Sequence, residues 1–76
     1  MTTTKLDLKG LLCPMPIVKI AQAIKTVGIG DTIEATATDA GVLADIPAWA
    51  RSTGQELVSM DKKENKEILF VVKRVK

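Results

Sequence analysis

The chain of 76 residues has no histidine, no tyrosine and only one cysteine. Without His there is no Cys–His nucleophile pair, and most zinc sites are excluded. A lone Cys excludes an internal disulfide and any Cys-x-x-Cys redox pair. Aromatics are confined to Trp49 and Phe70, so no stacking platform for single-stranded nucleic acid is present. A net charge of +2 lacks the concentrated basic face of a nucleic-acid binder. No apolar run reaches the length of a membrane span. The opening Met1-Thr2-Thr3-Thr4-Lys5 has no apolar core of a signal peptide. These absences lead us to expect a reduced, cytoplasmic setting, no metal, no cofactor, and no membrane or direct nucleic-acid partner.

What is present suits one small domain over residues 1–76. Hydrophobic residues make up 46% of the chain and charged ones 26%, within the range of globular proteins. A chain this short has room for a single small core.

Leu6 and Leu8 alternate with Lys5, Asp7 and Lys9, which predicts a short half-buried strand. Pro14 to Val27 reads as a helix, with Ile17, Ile20, Ala21, Ile24 and Val27 on one stripe and Lys19, Gln22, Lys25 and Thr26 facing away. Gly28 is placed to end it in left-handed geometry. Thr32 to Thr38 alternates, with Ile33, Ala35 and Ala37 on a covered face. The second helix is expected to have an irregular first turn from Ala40 and to run regularly from about Asp45, because Pro47 is best tolerated near a start. Ile46, Trp49 and Ala50 point inward and Gly54 closes it. Glu56 to Asp61 and Glu67 to Val75 are strands joined by the polar loop Lys62-Lys63-Glu64-Asn65.

The order β-α-β-α-β-β predicts an α/β two-layer sandwich: a mixed four-stranded sheet with two helices on one face. The last strand is apolar on both sides. Leu69, Val71 and Val75 either form an exposed contact patch or lie under flanking side chains. Such a patch permits a monomer or a weak homodimer.

Cys13 lies in Gly10-Leu11-Leu12-Cys13-Pro14-Met15-Pro16, between the first strand and the first helix. A thiol at a helix N-terminus faces open amides and the positive end of the macrodipole, which favour the thiolate. The competing reading is an inert buried Cys. Pro14 reads as the first helical residue and Pro16 lies in the same turn, and the pair stiffens the corner. Met15 either sits exposed beside the sulfur or folds inward. Lys9 and Lys19 either support the thiolate and steer a partner or are ordinary solvated lysines. Asp45 either caps its helix or touches a partner, and Asp39 reads as a turn or cap residue.

The segments Leu6-Asp7, Gly10 to Pro16, Gly30-Asp31, Asp39-Ala40-Gly41, Asp45 to Ala50 and Gly54 to Leu57 together resemble the TusA/SirA family of small sulfur-carrier proteins. The resemblance runs from about Lys5 to Lys73. It implies the same sandwich fold and places the family's active cysteine, that of Cys-Pro-x-Pro, on Cys13. It further implies a persulfide on Cys13, loaded by a cysteine desulfurase or rhodanese-like donor and passed to an acceptor protein. One departure stands out: many relatives have Gly-His where this chain has Gly54-Gln55, so no histidine role carries over. Having no second Cys fits a carrier, since a neighbouring thiol would discharge the persulfide as a disulfide. The rival readings are a regulatory or structural protein-interaction module in which Cys13 is incidental, and a redox-sensing thiol. Transfer-RNA thiolation, oxidation of reduced sulfur and cofactor assembly are all compatible pathways.

Overall fold

A computed structural model of the chain describes residues 3–12 and 14–76. The elements are β1 (Thr3–Leu8), α1 (Met15–Ile24), β2 (Thr32–Ala37), α2 (Val42–Thr53), β3 (Glu56–Lys62) and β4 (Ile68–Lys73). The four strands form one sheet in the order β1-β2-β4-β3. β1 and β2 run parallel, whereas β4 is antiparallel to both β2 and β3. This is the expected β-α-β-α-β-β sandwich with its mixed sheet.

Alternation in the strands decides which face is covered. Ile33, Ala35 and Ala37 of β2 pair in register with Val72, Phe70 and Ile68 of β4, and all six are buried. Leu8 of β1, Ile20 and Ile24 of α1, and Val42 and Ile46 of α2 complete the core. Trp49, Leu57 and Met60 pack against its margin. Phe70 is fully buried. Burying a side chain of that kind contributes roughly 1.5–3 kcal/mol relative to leaving it in water.

The helix boundaries depart from the sequence expectation. Pro14 is the N-cap residue of α1, with φ −97° and ψ 12°, and Met15 is the first helical residue. The helix ends at Ile24 and not at Val27: Lys25 and Thr26 donate to Gln22 and Ala23, tightening the last turn. The Thr26 hydroxyl also donates to the Ala23 carbonyl at 2.7 Å. Gly28 does not take the left-handed conformation. Gly30 does, at φ 95°, while the Gly28 amide donates to the Asp31 carboxylate at 3.0 Å.

α2 starts at Val42 behind Gly41, three residues before the expected regular start, and Pro47 lies inside it. Packing wins over propensity here, because Val42, Ile46 and Ala50 form one buried stripe. Gly54, at φ 77°, ends the helix as expected.

β4 ends at Lys73, so Val75 lies beyond it and is exposed. Leu69 and Val71 are half-buried on the helix-free face. The register sets Leu69 between Thr36 and Asp61, and Val71 between Glu34 and Ser59. Of the two alternatives for this face, Leu69 and Val71 are half-buried among polar neighbours, while Val58 at the bulge of β3 is exposed. No helix among the described residues is long and apolar enough to cross a membrane.

Candidate functional site

The parallel pairing of β1 and β2 sends both of their helical connections off the same edge of the sheet. The β1–α1 corner and the β2–α2 connection are therefore neighbours, and a hydrogen bond joins them: the Gly10 amide donates to the Thr38 hydroxyl at 2.9 Å. Gly10 adopts φ 82°, which permits the reversal after β1. The turn is closed by the Leu11 amide on the Leu8 carbonyl at 3.2 Å. The Asp7 carboxylate accepts the Lys9 amide at 3.0 Å, an Asx turn that starts the bend.

Beyond the reversal, the Met15 amide donates to the Leu12 carbonyl at 2.9 Å and the Val18 amide to Pro14 at 3.1 Å. These bonds lead the described chain on either side into α1. Cys13 itself lies outside the described residues. Its described neighbours divide by role. Pro16 is buried and anchors the first turn of α1. Leu12 and Met15 are exposed, by 73% and 41%. Val18 one turn along α1, and Leu43 in the first turn of α2, add exposed apolar surface at the same end of the sheet.

The charged candidates are spread out. Lys9 lines a shallow hollow of about 270 Å³ with Lys5, Asp7, Glu34 and Thr36. The strand register puts these partners on the helix-free side of β1 and β2. Lys19 is exposed on α1, four residues after Met15 and so on the same face. Asp45 does not cap α2. It sits half-buried within the helix's first turn, where a negative charge complements the macrodipole. No side chain caps the N-terminus of α2 at Gly41; the Asp39 carboxylate instead accepts the Gly41 amide at 3.1 Å.

Sequence reasoning missed Thr38, which reads as one more wet-face strand residue. Its partner is 28 positions away, and no local signal identifies it. Gln55 also gains a definite role. Its side-chain oxygen accepts the amides of Val75 at 2.7 Å and Lys76 at 3.2 Å, strapping the C-terminal segment down. An amide side chain does this without titrating at physiological pH.

Comparison with known proteins places this geometry in a family. Residues 4–74 match the family model described as Sulfurtransferase TusA. YrkF of Bacillus subtilis is 49% identical over 59 residues, which are 78% of this chain and 32% of that protein, so the chain spans about a third of YrkF. The sulfur carrier protein TusA of Allochromatium vinosum is 34% identical over 70 residues, 92% of this chain and 91% of that one. Among solved structures, the SirA-like protein from Desulfitobacterium hafniense superposes with a TM-score of 0.80 over the whole of both chains at 19% identity, which establishes the shared fold. With the family model covering nearly its full length, the chain belongs to the TusA sulfurtransferase family.

Proposed function

We propose that this chain is a sulfur carrier that holds sulfane sulfur as a persulfide on Cys13 and relays it between proteins. The observation that carries the reading is the corner whose sequence holds the single thiol: Gly10 is latched to Thr38, and the Met15 amide on the Leu12 carbonyl leads into α1. A helix N-terminus favours thiolate over thiol, and the thiolate is the attacking species.

The transfer conserves atoms and electrons. The Cys13 thiolate attacks the outer sulfur of a persulfide on the donor, a cysteine desulfurase or a rhodanese-like protein. A new sulfur–sulfur bond forms on Cys13, the donor's sulfur–sulfur bond breaks, and the donor cysteine leaves as thiolate. The acceptor protein's thiolate then repeats the attack on the Cys13 persulfide. No proton need be held by a histidine, and none is present. The chain also has no second thiol to intercept the cargo. Exposed Leu12, Met15 and Leu43 suit a transient protein contact at this end of the molecule.

The test is mass spectrometry of the intact protein and its peptides after incubation with a cysteine desulfurase and cysteine, or a rhodanese and thiosulfate. The expected result is one or more added sulfur atoms on the Cys13 peptide, removed by reductant and absent in Cys13→Ser. A folded protein with a free thiol that gains no sulfur from either donor overturns the reading. Activity retained in Cys13→Ser points to an interaction module instead.

A further inference from the structure

At the far end of the helices from the cysteine corner lies a hollow of about 260 Å³ that the sulfur chemistry does not use. α1 runs from Met15 at the corner to Ile24 in the wall of the hollow, a rise of about 14 Å. Ile24 and Trp49 contribute apolar wall; Lys25, Arg74 and Lys76 supply cationic side chains, and Gln55 adds its amide. Among the described residues, no Asp or Glu lines it.

The wall is braced. The Arg74 guanidinium donates to the Val27 carbonyl at 2.6 Å through Nη1 and to the Lys76 main-chain oxygen at 2.9 Å through Nε. That fixes a positive group between the end of α1 and the C-terminal segment. Gln55 holds the same segment through its accepted amides and donates to the Lys76 oxygen at 3.4 Å. The Lys25 and Lys76 side chains are exposed at the rim. The volume is just under the roughly 300–1,000 Å³ of drug-sized sites. A largely apolar wall with positive charge at its mouth selects ligands by two properties together.

We propose that this hollow is a second binding site, which takes a small amphipathic monoanion. The apolar body rests on Ile24 and Trp49, and the carboxylate or sulfonate head lies among Lys25, Arg74 and Lys76. The head lies toward the negative ends of both helix dipoles, so Lys25, Arg74 and Lys76 must outweigh them; a ligand held only by the folded chain stabilises it. The site is independent of the sulfur-carrier reading, and Cys13→Ser leaves its binding unchanged.

Trp49 is the only tryptophan, so its emission reports occupancy directly. The experiment titrates the full chain with 4-phenylbutyrate and, separately, with the neutral 4-phenylbutanol, following Trp49 fluorescence and melting temperature. Expected are a saturable emission change and a raised melting temperature with the carboxylate, and markedly weaker binding of the alcohol. The double substitution Lys25→Glu with Lys76→Glu keeps the fold, because both side chains are exposed, and weakens the carboxylate about tenfold. Three results overturn the proposal: no saturable response to the carboxylate, equal affinity for the alcohol, or unchanged carboxylate affinity in the folded double variant.

Discussion

Two glycines respond oppositely to the same added methyl group. Gly10 has φ 82° and open space around a would-be Cβ, so Gly10→Ala meets no neighbour and feels only its own backbone. Gly41 has φ −57° and ψ −25°, ordinary right-handed geometry, with the Asp39 carboxylate at contact distance of 3.4 Å. Alanine restricts the unfolded chain in both variants, a gain of about 0.4–1 kcal/mol. That gain cancels in the difference between them. What remains is the left-handed penalty at position 10, about 1–2 kcal/mol. For a domain of this size each kcal/mol moves the melting temperature by about 4–8 °C. Gly41→Ala should therefore melt above Gly10→Ala by about 4–16 °C. Gly10→Asn should recover part of the loss, since Asn tolerates the left-handed region. Calorimetric melts of the wild type and three variants suffice. Equal melting temperatures for the two alanine variants would refute the backbone argument, and with it the account of how the corner before Cys13 is turned.

Thr38→Val removes the acceptor for the Gly10 amide; it should cost about 1 kcal/mol in denaturant melts and slow sulfur loading of Cys13, whereas Thr36→Val on the helix-free face should not slow it. Gln55→Ala releases the amides of Val75 and Lys76; their hydrogen exchange should quicken about fivefold, for a bond worth about 1 kcal/mol, with the Phe70 amide unchanged. Pro47→Ala restores an amide inside α2 and should raise stability by at least about 1 kcal/mol, since interior proline costs about 3 kcal/mol against alanine; a lower melting temperature would show that the proline ring is held by packing.

β1 and β2 were legible because each carries its own period, whereas β4 is apolar on both faces and β3 breaks its alternation at a bulge between Leu57 and Ser59. Ile33, Ala35 and Ala37 alternate with polar residues, and all three are buried. The helix termini were less so. Pro47 argues locally for a late start to α2, yet Val42, Ile46 and Ala50 share one buried stripe, and their combined burial carries the helix through the proline. Gly28 and Gly30 compete for one left-handed position, and the Asp31 carboxylate, by holding the Gly28 amide, decides between them. At the candidate site, the Gly10-to-Pro16 run marks the corner on sequence alone. The Thr38 latch and the Gln55 strap were invisible, because each joins segments at least twenty residues apart.

The place of β4 governs how the chain can fold. It is sixth in chain order among the described elements, yet it lies inside the sheet between β2 and β3, and its Ile68, Phe70 and Val72 fill the core. Until those residues arrive, β2 has a neighbour on one side only and both helices rest on an unfinished layer. Assembly must therefore wait for contacts that join distant parts of the chain, which sets a slower course than local helix pairing. A sequence shortened before Ile68 would not lose a margin of the protein; it would lose the strand that joins β3 to the rest.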